Sequence, residues 1–304
     1  MELSIGLIKR ILNQIRDCGV RIEILGGEPL LRKDIADIIR YAKKEAKVPF
    51  ISIYTNGINA TPGIAVELKA AGLDAAIVTL VSHKKEIHDE FTGVAGSWEK
   101  MTSGIGVLQK AGIKVYTFTA VHKYNYRDYK DIYYFVKNSL KAGALFYQYI
   151  PQKKNDPLMI DPVEWSRIKH WVLYEKNREH MDFVRKFYML TGNACSGGNF
   201  VITIKVDGSV QPCPFLSDIP LGNIHEHNVW TIFKNRFGQS LLSGFKDISE
   251  ECRRCAYKSV CGGGCKAGNN ELFGRYNVKD HRCLGPYPGP IRKSEITDRV
   301  PAFF

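Results

Sequence analysis

With 304 residues, 44% of them hydrophobic, the chain can bury the core of one large domain and carry a small one beside it. Its net charge of +12, from 43 Lys and Arg against 31 Asp and Glu, is spread without a basic block, which indicates a solvated surface or an acidic partner rather than a nucleic-acid module. No run of about 18 apolar residues and no signal-peptide pattern occur, so no membrane partner is expected and the cytoplasm is the expected location.

The first residues form an amphipathic helical pattern from Glu2 to about Cys18, with Leu3, Leu7, Ile8, Ile11 and Leu12 on its apolar side. No strand precedes it, an odd beginning for a βα repeat. Strand-length apolar runs follow at Arg21 to Leu25, Phe50 to Tyr54, Ala75 to Leu80, Val115 to Val121 and Leu145 to Ile150. Between them, Ile35, Ile38, Ile39 and Ala42 mark one helical face, and Trp98, Met101, Ile105 and Leu108 another. This alternation over residues 1–150 implies an α/β domain with a parallel sheet, open or closed into a barrel. Residues 151–194 read as a connector that docks on it. Its helix is announced by Asp161 as cap, Pro162 at the first position and Glu164 reaching back to the cap, with Trp165, Ile168 and Val172 facing a core. After it the pattern turns antiparallel: Phe200 to Ile204, an Asp207-Gly208 turn, then Ser209 to Gln211. Trp230 and Phe233 anchor a short helix, and residues 286–304 form a Pro-containing, extended tail.

Seven of the eight cysteines fall between Cys195 and Cys283, as Cys195-x12-Gly208-x4-Cys213, then Cys252-x2-Cys255-x5-Cys261-x3-Cys265, then Cys283. In a reducing compartment such a group indicates metal ligands rather than disulfides. Seven thiols, with no His inside the tight group, exceed one four-thiolate site by three. The Gly262-Gly263-Gly264 run also lets backbone N–H groups approach sulfide. Both points favour iron-sulfur clusters, with structural zinc as the alternative. Cys18 stands apart and is expected to be an ordinary buried thiol.

At the end of the first strand stands Leu25-Gly26-Gly27-Glu28-Pro29-Leu30, where Gly-Gly permits close backbone approach to a ligand at the carboxyl edge of a parallel sheet. Together with the cysteine pattern, this motif resembles the radical S-adenosylmethionine (SAM) superfamily, in the subgroup with a C-terminal SPASM domain holding auxiliary [4Fe-4S] clusters. The segments Cys195-Ser-Gly-Gly-Asn, Pro212-Cys213-Pro-Phe-Leu and Leu221-Gly222-Asn223-Ile224 look most like the heme-pathway and peptide-maturase branches. The resemblance, over residues 2 to 285, implies a partial (βα)6 TIM-like barrel lacking its first strand, with a small C-terminal cysteine-rich α+β SPASM domain at residues 195–285. It implies that Gly26, Gly27 and Glu28 meet the amino group of SAM, with Thr55, Asn56, Gly57 and Thr79 at the same mouth. It further implies two auxiliary clusters, one on Cys252, Cys255, Cys261 and Cys283, the other on Cys195, Cys213 and Cys265 with its fourth position open to a non-cysteine ligand.

The activity this implies is hydrogen abstraction by a 5'-deoxyadenosyl radical from a peptide or tetrapyrrole substrate, with an electron donor such as a ferredoxin or flavodoxin. That chemistry needs a Cys-x3-Cys-x2-Cys loop, and Cys18 is the only cysteine before Cys195. The expectation is an N-terminally incomplete form of an enzyme, because Gly-Gly-Glu remains; the alternative is an iron-sulfur binding or electron-transfer protein that has lost the radical step. Of the other candidates, His122, Lys123, Tyr147, Gln148 and Tyr149 are expected near the barrel mouth, and His225 and His227 in a surface turn.

Overall fold

The computed structural model describes residues 2–172, 197–198, 200–216, 218–236, 247–256 and 258–288. The chain divides into two compact units, Met1–Tyr147 and Gln148–Phe304.

The first unit alternates α1 (Ile5–Gln14), β1 (Ile22–Ile24), α2 (Ile35–Lys44), β2 (Ile51–Thr55), α3 (Pro62–Ala71), β3 (Ala75–Thr79), α4 (Lys85–Thr92), α5 (Ser97–Lys110), β4 (Lys114–Val121), α6 (Tyr129–Tyr134) and β5 (Gly143–Gln148). The strands form one sheet in the order β1-β2-β3-β4-β5. Parallel registers pair Glu23 with Ser52, Tyr54 with Ile77 and Thr79 with Phe118. Alternation then sorts the side chains into two layers. Ile51, Ile53, Ala76, Val78 and Val115 join Ile35, Ile39, Leu68, Met101, Ile105 and Leu108 of the helices in one apolar cluster. Glu23, Ser52, Tyr54, Ile77, Thr79 and Phe118 belong to the opposite face.

Local chemistry fixes the helix ends. Thr61 Oγ1 accepts from the Ile64 N–H, Pro62 fills the first helical position and Gly72, at φ +101°, closes α3. Asp89 caps α5 from a distance, accepting from the Gly96 and Trp98 N–H groups and the Ser97 hydroxyl. Gly104 lets α5 seat against the loop after β2: a Cβ there would lie 2.0 Å from the Gly57 carbonyl oxygen.

The expected α/β sheet is present, with strand ends displaced by only one or two residues. The first helix is shorter than its pattern: it begins after Ser4, whose hydroxyl accepts from the Leu7 N–H, and stops before Asp17 at φ +57°. Cys18 therefore lies beyond the helix and is exposed, not buried as expected.

The second unit contains α7 (Pro162–His170), β6 (Thr203–Ile204), β7 (Ser209–Gln211), β8 (Gly222–Asn223), α8 (Val229–Asn235), α9 (Glu250–Arg253), α10 (Lys258–Cys261) and α11 (Lys266–Phe273). Asp161 caps α7 through the Val163 N–H, and Trp165, Ile168 and Val172 are buried as their spacing requires. Glu164 does not return to the cap; it pairs with Arg167 one turn on. The Asp207-Gly208 turn forms with Gly208 at φ +82°, joining the antiparallel β6 and β7. The hairpin is shorter than predicted, because Phe200, Val201 and Ile202 lie outside the ladder, and β8 adds an unexpected third strand. In α8 the buried anchors are Val229 and Ile232, whereas Trp230 stacks on Phe233 at the exposed side.

Candidate functional site

The carboxyl edge of the first unit's sheet gathers the predicted ligand residues. Gly26, at φ +147°, and Gly27 are exposed, with nothing within 4 Å of where a Cβ would stand, so their backbone is open to a ligand. Glu28 is tied down by three donors. Its Oε1 accepts from the Thr55 hydroxyl at 2.6 Å and the Leu30 N–H at 3.0 Å, and its Oε2 accepts from the Asn56 N–H at 2.8 Å. An ionised carboxylate offers about four lone-pair directions, so one remains for a ligand amine. Thr55 also accepts from the Gly57 N–H, and Asn56 Oδ1 from the Ile58 N–H, which fixes the loop behind them. Thr79 ends β3 exposed, in register with Phe118.

Of an aromatic group on the same sheet face, only Tyr147 is expected from the sequence near the mouth; Tyr54 and Phe118 are not. Phe118 stacks on Tyr147 at 4.6 Å and meets Tyr54 edge-on at 5.9 Å. The Tyr54 and Tyr147 phenols interact, and burial, reinforced by the Glu23 charge, pushes both upward from the ordinary phenol value. The Glu23 carboxyl is also raised by loss of hydration. Glu23 and Tyr147 both retain exposed surface. Both groups are therefore partly accessible while lying where loss of hydration is felt. Tyr54, Phe118 and Tyr147 come from β2, β4 and β5, and one strand read alone cannot show that they meet.

His122, expected near a ligand, is instead buried, stacked on Phe91 at 4.3 Å and pushed down to about 4 by burial. Its Nδ1 accepts from the Tyr124 N–H, and Asn125 beside it donates to the Val81 and Ala120 carbonyls. It is a structural tie between strand ends. Lys123 is exposed, and Tyr149 donates to Asp156 in the following loop. His225 and His227 are exposed around a turn, as expected.

In the second unit the described thiols sort into two electrostatic groups. Cys213 interacts with Cys265. Cys261 interacts with Cys283 and Cys252, and Cys283 with Cys252 and Cys255. Cys195 lies outside the described residues. Burial pushes Cys261 up to about 12 and raises Cys213 and Cys283, with neighbouring thiols adding repulsion. Such thiols need a cationic centre to ionise, and binding one releases their protons.

Among the described residues no three His, Cys, Asp or Glu side chains converge on a single-ion site; the thiols of a cluster stand farther apart, with the cage between them. Backbone donors are already aimed at sulfur: Gly268 N–H to Cys265 at 3.4 Å, Gly285 N–H to Cys283 at 3.3 Å and Tyr287 N–H to Cys255 at 3.5 Å. The Phe215 and Gly263 N–H groups serve Cys213 and Cys261 in the same way. Half-buried thiols in two groups, each supplied with N–H donors, fit the donor set of iron-sulfur clusters. Beside them Asp280 and Arg282 form a fully buried pair. Burial opposes the Asp280 charge, but Arg282 holds the carboxyl well below its usual range.

A parallel sheet with Gly-Gly-Glu-Pro at its carboxyl edge, followed by a cysteine-rich unit, defines a SAM-dependent iron-sulfur class. Residues 1–136 match the model of the radical SAM superfamily, and residues 195–256 match that of SPASM, an iron-sulfur cluster-binding domain. The chain belongs to the radical SAM superfamily and carries a SPASM domain.

Within that superfamily it is similar to the heme-pathway and peptide-maturase branches. It is 28% identical to an AdoMet-dependent heme synthase of Methanosarcina barkeri, over 93% of this chain and 88% of the relative. It is 26% identical to a cysteine-type anaerobic sulfatase-maturating enzyme of Clostridium novyi, over 90% and 80%. The fold is that of native anSMEcpe with bound AdoMet, at TM-score 0.73, 17% identity and coverage of 92% and 84%. Streptococcus suis SuiB bound to S-adenosylmethionine has the same fold at TM-score 0.71, 19% identity and coverage of 93% and 70%.

Proposed function

We propose that the chain is the SAM-binding and auxiliary-cluster body of a radical SAM oxidoreductase acting on a carboxylated tetrapyrrole. The observation that carries the reading is the Glu28 carboxylate, held by Thr55, Asn56 and Leu30 with one acceptor direction left beside the open Gly26-Gly27 backbone. In this reading Gly26, Gly27 and Glu28 take the SAM amino group, and Thr55, Asn56 and Thr79 complete the edge. Cys252, Cys255, Cys261 and Cys283 hold one [4Fe-4S] cluster; Cys195, Cys213 and Cys265 hold a second with one open position. SAM and a reducing cluster, when bound, supply hydrogen-atom abstraction, while the auxiliary clusters supply one-electron chemistry. The protein's part is to orient SAM on Glu28 and to offer the substrate a poorly hydrated face. Tyr54, Phe118 and Tyr147 suit a flat ring on that face better than an extended peptide. The net charge of +12 suits an acidic electron donor such as a ferredoxin or flavodoxin in the cytoplasm. Among the described residues no helix is long and apolar enough to cross a membrane.

The 304 residues contain no Cys-x3-Cys-x2-Cys, and this favours a second reading, an iron-sulfur or electron-transfer protein without SAM cleavage. Anaerobic reconstitution followed by three measurements tests both. Iron and sulfide for two clusters, SAM binding lost in Glu28→Ala, and absorbance-detected binding of coproporphyrin are expected. The 304 residues alone are expected to give no 5'-deoxyadenosine, and a reading frame extended through a three-cysteine loop is expected to give it. Failure of the extended protein to cleave SAM would leave the second reading. Binding of a peptide in place of coproporphyrin would overturn the substrate class.

A further inference from the structure

In the assignment proposed above, Cys195, Cys213 and Cys265 leave one cluster position without a thiolate, and His281 stands beside that group. A Cβ added to Gly268 would lie 3.9 Å from Cys265 Sγ and 3.8 Å from His281 Cε1, so sulfur and imidazole both border the space that this glycine leaves free. The Gly268 N–H itself donates to the Cys265 sulfur at 3.4 Å. His281 holds its place as the first corner of a turn, which the Cys283 N–H closes on the Asp280 carbonyl at 2.9 Å. The imidazole has no other task. Its side chain is 12% exposed, its Nδ1 is enclosed, and neither ring nitrogen has a hydrogen-bond partner. An enclosed polar atom left in this way is costly unless a ligand gives it a purpose. Nδ1 lies 3.6 Å from Asp280 Oδ1, just outside hydrogen-bond reach. Asp280 is itself fixed, by the Cys265 N–H on Oδ2 at 2.8 Å and by Arg282 Nε on Oδ1 at 2.8 Å. A metal-bound histidine characteristically turns its second ring N–H to a carboxylate. Asp280 occupies that place, which leaves Nε2 as the ligating nitrogen. Three other donors of this unit are engaged elsewhere. Asp218 accepts from Tyr276 and Asn270, and Asp156 from Tyr149 and two backbone N–H groups. His225 lies over the Asp207-Gly208 turn, where a Cβ on Gly208 would come within 2.5 Å of its ring.

We infer that His281 Nε2 is the fourth protein ligand of the cluster on Cys195, Cys213 and Cys265, filling the position that the cysteines leave open. The inference rests on the two-cluster assignment proposed above. Imidazole is a suitable ligand for iron. A neutral nitrogen in place of a thiolate leaves the site with one negative charge less, which raises its reduction potential. Asp280 is then a positioning residue, because it holds the ring from the Nδ1 side. With four protein ligands the site can relay electrons but cannot take substrate on iron.

The test uses the reconstituted 304-residue protein with its histidines alone carrying the heavy nitrogen isotope. Iron and sulfide are counted first, the clusters are reduced, and pulsed electron paramagnetic resonance reads the coupling of labelled nitrogen to the electron spin. Labelling only histidine separates a ring ligand from the backbone N–H groups on sulfur. A labelled-nitrogen coupling is expected in the wild type, altered in Cys265→Ser and unchanged in Cys252→Ser. It is expected to be lost in His281→Ala. Because that variant may also lose the cluster, His281→Cys supplies a thiolate instead: it is expected to hold two clusters without the coupling, and the couple altered by Cys265→Ser is expected to fall in potential. Two clusters in the wild type with no labelled-nitrogen coupling, or a coupling that persists in His281→Ala or His281→Cys, overturns the inference. Iron and sulfide for fewer than two clusters in the wild type overturns the assignment beneath it, and the count tells these failures apart.

Discussion

The two units of the chain prepare for their ligands in opposite ways. In the first, a continuous apolar cluster runs from Leu12 to Ala144 under a five-stranded parallel ladder, and its polar edge is satisfied internally through Glu28, Thr55 and Asn56. In the second, the described strands are two or three residues long, and thiols whose ionisation is opposed by burial and by one another stand near a buried ion pair. The first unit holds its binding edge ready, because burial of apolar surface stabilises it with or without ligand. The second carries sulfur that is neutral until a metal arrives, so its stability is coupled to cluster assembly.

The strongest way to break this contrast is to withhold iron. Hydrogen exchange is expected to show the amides of β7 and α11 losing nearly all protection in the apo-protein, while those of β2 and β3 keep theirs. Equal protection of both units with and without iron would remove the contrast. Next in size is Arg282→Met, which strands the buried Asp280 charge and is expected to cost about 3–5 kcal/mol. Chemical denaturation of the reconstituted protein measures it, and Asp280→Asn/Arg282→Gln should recover much of the loss. In the first unit, Glu28→Ala removes the acceptor for the Leu30 and Asn56 N–H groups and should cost about 1–3 kcal/mol. A denaturation midpoint equal to wild type would mean that the edge is not held by Glu28.

The smallest effect concerns His122. Its folded-state value, near 4, lies below the unfolded 6.5, so the unfolded chain binds the proton first and stability falls as pH drops through that window. Between pH 7 and pH 5 the linkage amounts to at most about 2 kcal/mol. His122→Phe, which keeps the stack on Phe91, should lessen the difference in stability between pH 5 and pH 7.

Much of this was legible in the sequence because it rests on local periodicity. The runs around Ile51 and Ala75 and the stripe of Met101, Ile105 and Leu108 record a sheet covered by helices directly. Gly26-Gly27-Glu28 and the cysteine spacing were legible as motifs. What escaped depends on distance in the chain. Glu28 reaches Thr55 and Asn56 across 27 and 28 residues, and Tyr54, Phe118 and Tyr147 come from three strands. His122 kept the position expected of it at the end of β4 yet turned inward onto Phe91, because a strand end fixes a residue's place and not its partner. Asp280 and Arg282, just before Cys283, belong to no motif in the sequence. Nothing in a local pattern shows that two charged side chains will be enclosed.

The close seat of Gly104 on the Gly57 carbonyl reaches beyond helix packing. The loop that it supports begins at Thr55 and Asn56, so the back of the ligand edge is braced by a helix whose other side carries no ligand residue. Enlarging Gly104 would push that brace forward by roughly the width of a methyl group. The mouth would then be detuned from behind, with every residue proposed to face SAM left intact.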